Sequence, residues 1–356
     1  MSSLSRNFRI DNIKGVLIFL VVFGHLIELH IAGAHFLHSI WLFIYSFHMP
    51  MFALVSGMFS KASLDEKQGS QLVKNVVIPL VAFEIFYEGL ELLLKGNLSV
   101  YSGLFAPYWM LWYLLSLLSW RLLLPIFSKL QFPVVIALAM SLIAGYSDST
   151  GYFLSISRTL CFFPFFLLGW KMGPGAFDNT KKRLVFVSAP VVAIAITASF
   201  LLHSDFDYRW LYGSYSLNHL GMANMTGSLY QIAQYLASLT IGLACLHLLS
   251  LRNWGLAQVG QRSMYVFLWH GLALIVLQQT GILNEIFKLE QGLAIFTAIA
   301  VSALIVWLAS HAWCELITQK LILKPMSWLF IRAQAASQLS PTKVIEVKVV
   351  PQKTLI

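Results

Sequence analysis

Long apolar runs separated by short polar segments make up most of this chain. Each run is about 18 to 25 residues long, which lets a helix cross a hydrocarbon core of roughly 30 Å. The runs therefore predict membrane-spanning helices rather than the amphipathic helices of a soluble domain. With ends uncertain by a few residues, the pattern predicts ten helices, at 12–32, 38–59, 75–95, 108–128, 132–147, 154–172, 184–203, 228–250, 263–283 and 291–318.

The composition agrees with that pattern. Of 356 residues, 58% are hydrophobic and only 11% are charged, and the mean hydropathy is +0.74. These values lie outside the usage of soluble domains. The predicted fold class is therefore all-α, a polytopic membrane helix bundle with about 10 transmembrane helices.

The basic residues indicate how the bundle is oriented. Most of the 24 Lys and Arg fall in segments on the same side as the N-terminus, which predicts that both termini are cytoplasmic. The same distribution accounts for the net charge of +9, so membrane lipids are expected as partners and nucleic acid is not. No cleavable leader is apparent before the first helix. We expect one transmembrane domain over 1–332 and a flexible cytoplasmic tail over 333–356.

The first helix carries a polar stripe through its apolar length. Lys14 and His25 are eleven residues apart, which is three helical turns or about 16 Å along one face. Glu28 joins that face at i+3 from His25, and Asp11 lies one turn before Lys14, where it can pair with it. Ionisable groups inside a bilayer cost a few kcal/mol, so the stripe is expected to face a cavity or the bundle interior. The alternative is structural: His25 bonds a neighbouring helix and Lys14 extends to the interface.

Other helices bring polar groups to a similar depth. They are His48 in "SFHMPMFALVSG", Arg158 in "SISRTLCFFPFFLLGW" and His270 in "SMYVFLWHG". Histidine exchanges protons near neutral pH, so one of the histidines His25, His48 and His270 is a candidate general base. Transporters also use buried His, Glu and Arg, and a polytopic transporter of an acyl, lipid-linked sugar or ion substrate is therefore the alternative function.

Several chemistries have no support in the sequence. A Walker loop, an H-E-x-x-H motif and a G-x-S-x-G motif are all missing, which argues against nucleotide hydrolysis, zinc proteolysis and α/β-hydrolase chemistry. The cysteines are isolated and have no metal-ligand spacing, so no metal is expected. The segment "HSDFDYRWLYGSYSLNHLGMANMTGS" mixes aromatics with Asp, Asn and His. It suits a sugar ligand, although Trp and Tyr are also ordinary residues of a membrane interface.

Five motifs, in this order along the chain, resemble one known family. They are the Lys14-to-His25 spacing in "RIDNIKGVLIFLVVFGH", then "FHMPMFALVSG", "YWMLWYLLSLL", "RTLCFFPFFLLG" and "GQRSMYVFLWH". Together they resemble the acyltransferase-3 superfamily of integral membrane sugar O-acyltransferases, and within it the fucose 4-O-acetylase-like branch, from about Arg6 to Leu329. The family commonly has Arg where this chain has Lys14, and lysine keeps the charge without the bidentate geometry.

The resemblance implies an activity and its participants. It implies transfer of an acyl group, with acetyl-CoA as the cytoplasmic donor, to a hydroxyl of a sugar in a cell-surface or exported glycan. The expected enzyme is an O-acetyltransferase that crosses the bacterial inner (plasma) membrane several times, with glycan-assembly proteins as a further partner class.

The resemblance also implies roles for individual residues. Asp11 and Lys14 would bind the donor at the cytoplasmic mouth, and His25 would be the general base with Glu28 orienting its ring. Two mechanisms stay open: direct transfer to the acceptor, and a covalent acyl-histidine relay. The remaining candidates are polar groups expected to line the site or to stabilise the oxyanion: Arg158, Ser56, Tyr113, His48 and His270.

Overall fold

The computed structural model describes residues 8–32, 34–148 and 151–325. Within these ranges the chain forms helices and no strand, which confirms the predicted all-α class. The α-helices, numbered in chain order, are α1 Phe8–Glu28, α2 His35–Met58, α3 Glu66–Leu72, α4 Ile78–Lys95, α5 Val100–Gly103, α6 Trp112–Phe127, α7 Pro133–Ala144, α8 Ile156–Met172, α9 Val185–Leu202, α10 Arg209–Tyr212, α11 Met225–Ser250, α12 Ala257–Gln261, α13 Ser263–Gln279, α14 Ile282–Lys288, α15 Gln291–Ala309 and α16 Ala312–Thr318.

Seven helical segments of the described chain are long and apolar enough to cross a bilayer. An eighth crossing is obtained when α13 and α14, bent by 72° at their junction, are counted as one span. The chain is thus a multi-pass membrane protein. Two predicted helices are shorter than expected: 132–147 contains the 12-residue α7, and 291–318 is divided between α15 and α16.

Helix α1 lies at the centre of the bundle. It packs against α2, α11, α12, α13 and α15, and its apolar side chains Ile13, Leu17 and Ile18 are completely buried. A central helix surrounded by other helices is where an ionisable side chain is best kept away from lipid. The polar stripe is placed accordingly: Asp11 is buried, the side chains of His25 and Glu28 are less than one-fifth exposed, and Lys14 lines a cavity, so the stripe faces the bundle interior and a cavity, as its sequence predicts.

Helices α2 and α8 cross at two glycines, one from each of two sequence motifs. A Cβ added to Gly57 would lie 1.9 Å from the carbonyl oxygen of Phe166, and one added to Gly169 would lie 1.8 Å from that of Leu54. Only glycine permits such an approach of two backbones, as small residues commonly do between membrane helices. The crossing fixes α2, which carries much of the candidate site.

The predicted tail at 333–356 lies outside the described residues, as does everything after position 325. The domain division at 332 and the cytoplasmic position of the termini stay predictions.

Candidate active site

His25 and Glu28 form a hydrogen-bonded pair on the last turn of α1. His25 Nδ1 is 3.0 Å from Glu28 Oε2, and the two side chains are only 16% and 19% exposed. Because a carboxylate only accepts hydrogen bonds, Nδ1 carries the hydrogen and Nε2 keeps its lone pair. The pair thus has the arrangement of a general base whose ring is oriented by a carboxylate.

Two tyrosines from distant segments hold Glu28. Tyr45 of α2 donates to Oε2 at 3.1 Å, and its hydroxyl oxygen is 3.2 Å from His25 Nδ1. Tyr212, at the end of α10, donates to the other carboxylate oxygen, Oε1. Burial, followed by the charge of Glu28, raises the pKa of Tyr212, so this hydroxyl keeps its hydrogen. Both oxygens of Glu28 therefore accept hydrogen bonds, which stabilises the charged carboxylate.

Aromatic rings surround the imidazole of His25. The Trp109 ring lies 4.9 Å away, centroid to centroid, and the His270 ring stacks at 5.7 Å with 18° between the planes. Trp109 has a φ of +33°, an uncommon conformation for a residue with a side chain. The preceding residue is held by α4, since Glu84 accepts the backbone N–H of Tyr108 at 3.0 Å and 3.1 Å. This contact fixes the turn that presents Trp109.

His270 is completely buried beside His25. Its Nδ1 lies 2.8 Å from the carbonyl oxygen of Phe267 and 3.1 Å from that of Val266. Nδ1 is therefore the donor, and Nε2 is an acceptor that has no hydrogen-bond partner within the described residues. His48 is also buried, with Nδ1 2.9 Å from the carbonyl oxygen of Ile44 and its ring against that of Tyr45.

A cavity of about 220 Å³, which we call the Lys14 cavity, opens beside the first half of α1. Its polar lining includes Ser56 and Tyr113, whose hydroxyl oxygens are 2.7 Å apart. Tyr113 also donates to the carbonyl oxygen of Phe52 at 3.1 Å. Lys14, Gln261 and Ser263 are the other polar residues of the lining. The rest of the lining is apolar: Val21, Met49, Phe52, Leu114, Leu117, Met264 and Phe267.

A second cavity, of about 430 Å³, lies at the other end of α1, and we call it the Glu28 cavity. It is lined by polar side chains from α2, from the segment after α9 and from α10. Besides Glu28 they include His35, His38, His203, Ser204, Tyr208 and Tyr212. Val21 lines the Lys14 cavity and Glu28 lines the Glu28 cavity, so His25 lies between the two along the helix.

The two remaining candidates lie apart from the imidazole. Asp11 is buried near the start of α1 and accepts a hydrogen bond from Gln261 at 3.2 Å. Arg158 of α8 donates from Nε to the carbonyl oxygen of Tyr212 at 3.3 Å, and its guanidinium lies 5.2 Å from the Trp112 ring centroid. Arg158 thus bonds the backbone of Tyr212, and the hydroxyl of Tyr212 in turn bonds Glu28. Tyr212 is therefore what connects Arg158 to the His25–Glu28 pair.

The sequence pattern does not single out Tyr45 or Tyr212 as site residues. Tyr45 stands three residues before His48, beside the "FHMPMFALVSG" motif, so its position was available as a signal. Tyr212 is one of several aromatics in a loop, and its contact with Glu28 spans 184 positions. Only the three-dimensional structure distinguishes it from its neighbours.

Known proteins share sequence similarity with most of this chain. A family described as an acyltransferase domain, of the acyltransferase-3 type, matches residues 7–311. Nodulation protein NolL of Mesorhizobium japonicum is 24% identical over 336 residues, covering 86% of this chain and 86% of that protein. Nodulation protein NolL of Sinorhizobium fredii is 30% identical over 128 residues, covering 32% of this chain and 35% of that protein. No solved structure matches the chain significantly.

Proposed function

The chain belongs to the acyltransferase-3 family of membrane acyltransferases, and from that membership we propose that it is a sugar O-acetyltransferase. In this proposal the donor is acetyl-coenzyme A from the cytoplasm. The acceptor is a hydroxyl of a sugar in a cell-surface or exported glycan, delivered with the help of glycan-assembly proteins. The membrane is the inner, or plasma, membrane of a bacterium.

One observation carries the proposal: a carboxylate-oriented histidine lies on a central helix, between a cavity lined by Lys14 and Val21 and a second cavity lined by Glu28. An enzyme that joins a cytoplasmic donor to an exported acceptor needs access from both sides of the membrane. A histidine placed between the two entrances can meet both substrates without either one crossing the bilayer.

The Lys14 cavity suits the donor. A pantetheine arm is long, narrow and partly apolar, and the cavity combines apolar walls with the hydroxyls of Ser56, Tyr113 and Ser263. Lys14 supplies a positive charge for the phosphates of the donor, and a lysine can bind phosphate as a point charge. The Glu28 cavity, with its His, Ser and Tyr side chains, suits a hydroxyl-rich acceptor.

In the direct mechanism His25 handles the proton. The donor supplies the thioester carbonyl. As the acceptor oxygen forms its bond to that carbonyl, Nε2 of His25 takes the hydroxyl hydrogen, and Glu28 stabilises the resulting imidazolium. The bond to sulfur then breaks, and the hydrogen passes from His25 to the sulfur, which leaves a neutral histidine, an ester and a free thiol.

A panel assay of free thiol release tests the function. Purified protein receives acetyl-coenzyme A with each of a set of glycans, and wild type is compared with His25→Ala and with His30→Ala as a matched control. His30 is also near the end of α1 but stacks on Phe287 instead of contacting Glu28. We expect glycan-dependent thiol release that falls by roughly 100- to 10,000-fold in His25→Ala and is kept in His30→Ala.

Two outcomes decide against the proposal. If no acceptor elicits thiol release, or if His25→Ala releases thiol as fast as wild type, the assigned chemistry is wrong. Rapid denaturation at neutral pH, after incubation with labelled acetyl-coenzyme A in the absence of acceptor, distinguishes the mechanisms, because only the relay leaves label covalently bound to the protein.

A further inference from the structure

The segment between α9 and α11, residues 203–224, is held at its backbone by side chains of neighbouring helices. Arg158 donates to the carbonyl oxygen of Tyr212 at 3.3 Å, and Ser157 donates to that of Gly213 at 2.9 Å. From α11, Gln234 donates to the carbonyl oxygen of Trp210 at 2.8 Å. Three carbonyl groups in or next to α10 are therefore hydrogen-bonded to side chains of α8 and α11.

Close packing adds to these hydrogen bonds. Gly213 ends α10 with a φ of +63°, and a Cβ added there would lie 3.0 Å from the sulfur of Cys161. The position thus requires glycine both for its conformation and for its contact with α8. The residue immediately before it, Tyr212, is held in place as a result.

Tyr212 uses that position to reach Glu28. Its hydroxyl donates to Oε1, whereas Tyr45 and His25 contact Oε2. Its ring meets those of Tyr45 and Trp41 edge to face, with centroids 6.0 Å and 5.7 Å away. The carboxylate is thereby held from both sides, which limits its rotation and keeps Oε2 directed at the imidazole.

From these contacts we infer that Tyr212 is a positioning residue of the acyl transfer reaction: the α9–α11 segment orients Glu28, and through Glu28 the base His25, from the acceptor side. Tyr212 and Glu28 both line the Glu28 cavity, so the side chain that orients the base also borders the acceptor. Arg158 acts in the same way at one remove, since it fixes the backbone of Tyr212. This inference rests on the proposed role of His25 as the general base.

Tyr212→Phe tests the inference, because it removes the hydroxyl and keeps the ring. Because hydrogen bonds to charged groups are stronger than neutral ones, we expect kcat to fall by roughly 10- to 100-fold. The KM for acetyl-coenzyme A should stay unchanged, because the Lys14 cavity is not touched. The acid limb of the pH profile of kcat should also move, because Glu28 loses a donor; a merely structural role would leave that limb in place.

A matched control is Tyr146→Phe. Tyr146 also lies beside the α9–α11 segment, and its hydroxyl bonds Asn224 at 3.0 Å and Ser228 at 2.6 Å, but it contacts neither His25 nor Glu28. We expect its kcat and pH profile to match wild type. In a Glu28→Gln background, Tyr212→Phe should have little further effect, because the two residues act as one unit.

The outcomes separate this inference from the proposed function. If wild type shows His25-dependent thiol release while Tyr212→Phe keeps the wild-type kcat and pH profile, the positioning role is wrong and the function stands. If Tyr212→Phe fails to give monodisperse protein, Gln234→Leu provides a second test, because it removes the hydrogen bond to the carbonyl oxygen of Trp210 that also holds the α10 region. Lower kcat with an unchanged KM for acetyl-coenzyme A supports the inference, and a wild-type kcat overturns it.

Discussion

The glycine crossing of α2 and α8 offers a sharp test of how the fold holds the site. In Gly169→Ala, the new Cβ would lie 1.8 Å from the carbonyl oxygen of Leu54. A carbon–oxygen contact needs roughly 3.3 Å, so the two helices must separate by about 1.5 Å at this point. The obstacle is backbone, which no rotamer change can move away.

Overpacking of this kind costs about 1 to 3 kcal/mol, and more where backbones collide. We therefore expect Gly169→Ala to lower the midpoint of thermal unfolding by roughly 5 to 10 °C. Because α2 carries Tyr45 and Ser56, activity at permissive temperature should fall as well. The measurement is size-exclusion chromatography of detergent-solubilised protein after heating, followed by the thiol release assay on the surviving fraction.

Gly89→Ala is the matched control. Gly89 lies inside α4, and a Cβ there would have no neighbour within 4 Å. Alanine is favoured over glycine in a helix by about 0.5 to 1 kcal/mol, so this variant should be at least as stable as wild type. A Gly169→Ala protein with wild-type stability and activity would refute the close crossing.

The remaining predictions concern Lys14, in the cavity proposed for the donor, and Asp148, in the segment after α7. Lys14→Met should raise the KM for acetyl-coenzyme A by about 10-fold and Lys14→Arg should not, because charge rather than side-chain shape is required there; equal KM values in all three proteins would contradict this. Hydrogen bonds from Ser216 and Asn218 hold the pKa of Asp148 below its usual range. A lowered carboxyl pKa stabilises the fold above the unfolded-state value and loses that effect as pH falls, so the difference in unfolding midpoint between wild type and Asp148→Ala should shrink below about pH 4. A difference that stays constant from pH 7 to pH 3 would exclude this linkage.

Local spacing predicted the part of the site that lies on one helix. The i, i+3 relation of His25 and Glu28 requires only helical geometry, and the structure has that hydrogen bond. The family and the all-α class can also be predicted from the sequence, because they depend on motifs and apolar runs that can be read along the chain.

What could not be predicted depends on contacts between distant segments. The run at 291–318 reads as one helix, yet α15 ends before Ser310, whose carbonyl oxygen accepts a hydrogen bond from Arg262 at 3.3 Å. Arg262 also bonds Glu315 at 3.1 Å, so one side chain joins both sides of the break. The contact of Tyr212 with Glu28 likewise depends on distant segments. It forms because of the way α10 packs on the bundle, which local propensity does not determine.

The way α10 is attached has a consequence for which of its side chains can be substituted. Arg158, Ser157 and Gln234 hold this segment by its carbonyl groups, and a carbonyl is present whatever residue occupies the position. Side chains of the segment that line the Glu28 cavity, such as Tyr208, can therefore be exchanged while the anchoring hydrogen bonds are retained. Tyr212 is the exception, because its side chain both lines the cavity and bonds Glu28, so substitutions elsewhere on the segment can change the cavity lining without changing the His25–Glu28 pair.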